Sequence, residues 1–176
     1  TGDTTNKAVL NMTGGTITAG KTKMPASTNT WSTGGNIYGG PYAQINMQGG
    51  TISNGTAQVF AKKSGYGGGN IFLSGAGASL TMGKTPKTNE PATISGGTAI
   101  SGGNVLVYKG SIVLNDGAVI SGGESTGDLY IATSAIGKKT RSNLYGGGNI
   151  YASAASVTVN EGAQIIDGVA KSSGGN

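Results

Sequence analysis

Gly68-Gly69-Asn70-Ile71-Phe72 is the stretch that decides the fold. It recurs as Gly34-Gly35-Asn36-Ile37-Tyr38, as Gly102-Gly103-Asn104-Val105-Leu106 and as Gly147-Gly148-Asn149-Ile150-Tyr151, and again as Gly174-Gly175-Asn176. Asn36, Asn70 and Asn104 are spaced by 34 residues, Asn149 follows Asn104 by 45, and Asn176 follows Asn149 by 27. Self-similarity at a period of this size marks a solenoid.

Between successive Gly-Gly-Asn units the same pattern returns. A second segment alternates apolar, mostly polar, apolar: Leu10-Asn11-Met12, Ile45-Asn46-Met47, Leu80-Thr81-Met82, Ile112-Val113-Leu114 and Val157-Thr158-Val159. A third reads Thr16-Ile17-Thr18, Thr51-Ile52-Ser53, Thr93-Ile94-Ser95, Val119-Ile120-Ser121 and the looser Gln164-Ile165-Ile166. Alternation with period two is the signature of a half-buried strand. Glycines punctuate these segments, and glycine turns corners because it reaches positive φ without steric cost. The expectation is an all-β chain: a parallel β-helix solenoid with three short strands per coil and about five coils, one per Gly-Gly-Asn unit. Residues 1–176 form a single domain in this reading. Ile37, Ile71, Val105 and Ile150 then stack inward, while Tyr38, Phe72, Leu106 and Tyr151 form an outward row. The side chains of Asn36, Asn70, Asn104 and Asn149 form an amide ladder down one corner, since each amide both donates and accepts.

Composition agrees. There are 35 glycines but only 4 prolines among 176 residues, and no three-residue period, which excludes collagen. Charged residues are 11 % of the chain, too few for an ordinary disordered polyelectrolyte. The chain has no cysteine and no histidine, so disulfides, thiol chemistry and histidine-based catalysis or zinc binding lose their usual residues. The formal net charge of +5 is spread widely, which argues against specific nucleic-acid binding. No apolar run is long enough for a membrane-spanning helix.

The chain resembles the right-handed parallel β-helix proteins of the pectate-lyase-like superfold, and within them the Gly-Gly-Asn-Ile-Tyr repeats of bacterial surface and adhesin proteins. That resemblance implies right-handed coils and an extracellular or cell-surface setting. It implies no single activity, because the scaffold carries lyases, adhesins and plain stalks alike.

Enzyme chemistry on this scaffold needs clustered carboxylates, and the chain has seven in all. Asp116 and Glu161 hold equivalent places in adjacent coils, but Asp before Gly is also a common turn pair. A calcium nonapeptide repeat is absent, as are a phosphate-binding loop and the regular threonine lattice of an ice-binding face. No cofactor is expected. Variable lengths fall at one corner, in segments 21–33, 56–67 and 124–146, with a further insertion at 83–91. Inserts on one side of a solenoid often make its binding face. Lys62, Lys63, Lys138, Lys139 and Arg141 lie there, and with Tyr38, Phe72 and Tyr151 they are the candidate contacts for a ligand or partner such as an anionic glycan or host surface. Both ends resemble interrupted coils, so a segment or subunit of a longer stack is expected, with end-to-end self-association. The functional expectation is a non-enzymatic structural or adhesive β-helix of a bacterial cell-surface or extracellular fibre. The alternative is a glycan-binding or glycan-cleaving module.

Overall fold

The computed structural model describes residues 3–23, 34–58, 67–87, 89–127, 130–133, 139–143 and 146–176. Among them every regular element is a strand. In chain order these are β1 (Val9–Met12), β2 (Thr16–Thr18), β3 (Lys21–Lys23), β4 (Ile37–Gly39), β5 (Gln44–Met47), β6 (Gly50–Ser53) and β7 (Thr56–Gln58). Next come β8 (Ile71–Ser74), β9 (Ser79–Met82), β10 (Ala92–Ser95), β11 (Thr98–Ala99), β12 (Val105–Tyr108), β13 (Ser111–Leu114) and β14 (Ala118–Ser121). The last are β15 (Glu124–Ser125), β16 (Tyr130–Thr133), β17 (Lys139–Asn143), β18 (Ile150–Ser153), β19 (Ser156–Val159), β20 (Gln164–Ile166) and β21 (Val169–Ala170).

All but β16 and β17 stack in parallel, as in a β-helix-like solenoid. Sheet A runs β1-β5-β9-β13-β19, sheet B runs β2-β6-β10-β14-β20, sheet C runs β3-β7-β11-β15-β21, and sheet D runs β4-β8-β12-β18. Equivalent residues of successive coils pair without slippage: Leu10 with Ile45, Ile45 with Leu80, Leu80 with Ile112, Ile112 with Val157. A one-residue slip would turn the buried row outward, so the apolar alternation holds the register.

The core lies between the sheets. Ile52, Ile71, Leu73, Leu80, Met82, Ile94, Val105, Ile112, Leu114 and Ile120 are fully buried in one cluster. Burying each such side chain contributes ~1.5–3 kcal/mol, and the rows supply it coil after coil. In β20, Ile165 pairs with Ile120 and packs on the core, while Ile166 pairs with Ser121 and is largely exposed.

The structure corrects three expectations. From β4 on, each coil contributes four strands to the parallel stack rather than three. Sheet C is built from two- and three-residue strands, and its inward side chains are small: Ala57 and Ala99 are buried, as is Ser125. Such a strand carries no row of large apolar residues, so periodicity passes over it. Second, Phe72 and Leu106 do not form an exposed outer row; they are 2 % and 1 % exposed, although they sit on the opposite side of their strands from Ile71 and Val105. Alternation tells which side of a strand a residue takes, but not whether that side is covered. Tyr38 is exposed and its ring tilts against Phe72 with centroids 5.7 Å apart. Third, segment 124–146 is more than a long corner: Glu124–Ser125 pair in sheet C, and β16 and β17 pair antiparallel with each other.

Sheet D has one strand fewer than the others. Upstream of β1, Asp3 closes a turn, accepting backbone hydrogen bonds from Thr5 (2.8 Å) and Asn6 (2.5 Å) on its carboxylate. The N–H groups of Asn6 and Thr5 stabilise the charged form and hold its pKa below the usual 3.8.

Candidate functional site

The most organised polar feature is at the corner where the chain passes from sheet C into sheet D. Asn36 Nδ2 donates to Asn70 Oδ1 at 2.7 Å, Asn70 Nδ2 to Asn104 Oδ1 at 2.7 Å, Asn104 Nδ2 to Asn149 Oδ1 at 2.7 Å, and Asn149 Nδ2 to Asn176 Oδ1 at 2.9 Å. The second proton of each Nδ2 goes to the backbone carbonyl of Ser53, Ser95, Ser121 or Ile166, respectively. Each Oδ1 also accepts from a backbone N–H: Gly20 to Asn36, Gly55 to Asn70, Gly97 to Asn104, Gly123 to Asn149 and Gly168 to Asn176. Asn70, Asn104 and Asn149 are fully buried. A buried amide is costly unless its donors and acceptor are met, and here they are. The row ties sheet D, through the Asn, to the end of sheet B and the start of sheet C.

The glycines around this row are required by contact. A Cβ on Gly69 would strike the carbonyl oxygen of Gly103 and the amide nitrogen of Thr98. A Cβ on Gly97 would meet Gly103 O and come within 2.8 Å of Asn70 Nδ2. Gly35, Gly103 and Gly148 meet the next coil's glycine carbonyl in the same way. One residue before the sheet C glycine, the corner takes left-handed φ in every coil: Ala19 (60°), Asn54 (54°), Gly96 (63°), Gly122 (60°) and Asp167 (55°).

A second feature lies where sheet A turns toward sheet B. A groove of about 570 Å³ runs there along β1, β5, β9 and the turn after β13, lined by Met12, Met47, Met82 and Pro86 and, on its polar side, by Asn11, Asn46, Gln48, Thr81 and Asn115. At ~4.8 Å per strand it runs roughly 14 Å along the stack. Asn46 donates to Asn11 at 2.9 Å, and Asn160 donates to Asn115 at 2.8 Å. The insertion at 83–91 contributes Lys84 and Pro86, and Lys84 Nζ lies 2.7 Å from Asp116 Oδ2. Both partners are substantially exposed, so water screens the pair. The arrangement can meet an extended polar chain with amides and hydroxyls.

Asp116 and Glu161 do not make a free carboxylate pair. Asp116 turns to Lys84 and lies over Gly162, whose Cβ position its carboxylate occupies. Among the described residues no group of three or more His, Cys, Asp or Glu side chains comes together. Among the described residues no helix is long and apolar enough to cross a membrane.

Of the candidate contact residues, Tyr38, Phe72 and Tyr151 share sheet D, where Tyr38 pairs in register with Phe72, Phe72 with Leu106, and Leu106 with Tyr151. Lys139 and Arg141 fall on β17, opposite Thr133 and Ile131. Lys62, Lys63 and Lys138 lie outside the described residues. Sequence reasoning passed over Lys84, because nothing in its neighbours shows that an insertion will fold back onto the next coil. It also passed over the Asn11–Asn46 and Asn115–Asn160 pairs, whose signal was present: each pair holds equivalent places in adjacent repeats. Comparison with protein-family models, with curated proteins and with solved structures finds no match to this chain.

Proposed function

We propose that this chain is a non-enzymatic structural or adhesive segment, a right-handed β-helix of about five coils that belongs to a bacterial cell-surface or extracellular fibre and associates end to end. The observation that carries this reading is the unbroken stack: four parallel sheets and an amide row run along one direction through successive coils. Strand edges with unpaired N–H and C=O groups are templates for further pairing. A heterologous contact of this kind, repeated, makes an open filament. Electron microscopy with sedimentation velocity on the purified 176-residue chain tests it. Rods that lengthen as concentration rises are the expected result. Short rods of fixed length, with a concentration-independent sedimentation coefficient, would overturn it.

The groove on sheet A favours a second reading, in which the same β-helix binds a glycan chain along the stack. Its amides and hydroxyls lie among Met12, Met47, Met82 and Pro86, with Lys84 at one side, and such a mixed lining suits the polar edges and apolar faces of a sugar chain that carries few or negative charges. Titration calorimetry with neutral and anionic oligosaccharides separates the two readings. Saturable binding weakened by Lys84→Ala supports a glycan module, and no heat with any of them leaves the structural role alone.

A further inference from the structure

We propose that Asn54 is a latent deamidation site, kept silent by the hydrogen bond from the Gly55 N–H to Asn70 and released when its corner opens. Asn54 is the only asparagine of the chain that is followed by glycine. Asparagine is a thermolabile residue, and glycine after it leaves the next peptide nitrogen unshielded by a side chain. The reaction consumes only water. The Gly55 nitrogen gives up its proton to hydroxide and bonds to Asn54 Cγ. The Cγ–Nδ2 bond breaks, and the nitrogen leaves as ammonia with a proton from water. Water then opens the cyclic imide at one of its two carbonyls. The product is aspartate, or isoaspartate, whose main chain runs through Cβ and Cγ.

The folded corner withholds both reacting groups. Gly55 N donates to Asn70 Oδ1 at 2.8 Å in a buried contact, so its proton points into the amide row and away from hydroxide. The flanking peptide units are tied to the coils on either side. Asn54 N donates to Ser95 O at 3.0 Å, Thr98 N to Gly55 O at 2.9 Å, and Thr56 N to Gly20 O at 2.9 Å. Asn54 itself is exposed and holds a left-handed φ of 54°. Its Oδ1 lies over Gly96 of the next coil, 2.6 Å from where a Cβ on that residue would stand. Cyclisation requires the side chain to leave Gly96 while the Gly55 nitrogen leaves Asn70. That is a local opening, and the reaction rate follows the small fraction of chains that are open.

Of the residues at this place in successive coils, Ala19, Asn54, Gly96, Gly122 and Asp167, Asn54 alone carries an amide. The isoaspartate product does not fit back. It lengthens the main chain by a carbon next to Gly55, where even a Cβ would stand 2.3 Å from Gly69 O and 2.8 Å from Asn70 Oδ1. A brief opening of the corner is thereby converted into a lasting break between Gly55 and the amide row.

Peptide-mapping mass spectrometry tests this on the 176-residue chain, kept in mildly alkaline buffer with and without denaturing urea. The mass change from amide to acid at Asn54 is expected to accumulate at least about tenfold more slowly in the folded chain than in urea. Equal rates would overturn the proposal. Asn70→Ala and Asn104→Ala separate the Gly55 contact from a general loss of stability. Both break the row, and only the first removes the acceptor of Gly55 N. Asn70→Ala is expected to deamidate at Asn54 about tenfold faster than Asn104→Ala. Equal rates in the two variants, with strand circular dichroism retained, would show that Asn70 does not hold the site silent. If either variant loses its strand spectrum, hydrogen exchange in the wild-type chain decides the same point. The Gly55 N–H is expected to exchange as slowly as the Gly97 N–H, which donates to Asn104 Oδ1. Exchange as fast as that of an exposed amide would overturn the role of Asn70.

Discussion

Asn70 donates from its Nδ2 to the Oδ1 of Asn104 at 2.7 Å, and both side chains are fully buried although 34 residues of chain separate them. This contact joins one coil to the next from within the corner. It belongs to a network in which each amide polarises its neighbour, so the row acts as a unit.

Asn70→Ala breaks the row at its second member. Four partners lose a hydrogen bond: the Gly55 N–H, the Asn36 Nδ2 donor, the Asn104 Oδ1 acceptor and the Ser95 carbonyl. Each costs ~1–3 kcal/mol, so a loss of at least ~2 kcal/mol is expected. Urea unfolding followed by far-UV circular dichroism measures it, and an unchanged midpoint would show that the row contributes nothing to stability.

Two glycines separate steric need from mere abundance. Gly69→Ala drives a Cβ into the backbone of the neighbouring coil, while Gly14→Ala meets nothing within 4 Å. The backbone cannot yield without breaking the stack, so Gly69→Ala is expected to cost ~2 kcal/mol or more, and Gly14→Ala to stay within ~0.5 kcal/mol. Equal thermal melting of the two variants would contradict the close approach of successive Gly-Gly-Asn corners.

Sheet C depends on small inward side chains. Ala99 is 1 % exposed and stacks on Ala57 in register. Ala99→Leu adds volume where no space remains, with an expected cost of ~1–3 kcal/mol. Calorimetric melting checks this, and a stabilised variant would mean that the corner is wider than its side chains.

Lys84→Ala is expected to change stability by less than ~1 kcal/mol, and by still less in 1 M salt, since the ion pair with Asp116 is exposed at both ends. Unfolding midpoints at low and high salt measure the difference. A large, salt-insensitive loss would mean that the insertion is held to Asp116 far more tightly than an exposed pair allows.

Much of the fold is legible in the sequence, because the repeat is itself a physical requirement. A parallel stack places equivalent residues in contact, so Ile52, Ile94 and Ile120 must recur in phase. The glycine pair and Asn70 must recur for the same reason, since each corner sits against the next. Sheet C and the hairpin of β16 and β17 were not legible. A two-residue strand such as Thr98–Ala99 carries no periodicity, and a hairpin inside an insertion has no counterpart in the other coils.

Within the chain alone, then, lie the existence of the stack, its register and its row of amides, because each follows from residues repeating along one axis. Only the tertiary structure decided what covers what. Phe72 and Leu106 are buried, Asp116 turns to Lys84 rather than remaining free beside Glu161, and Asn11, Asn46 and Asn115 gather along one groove. These outcomes depend on segments far apart in sequence folding onto one another, and repeat periodicity carries no information about where an insertion comes to rest.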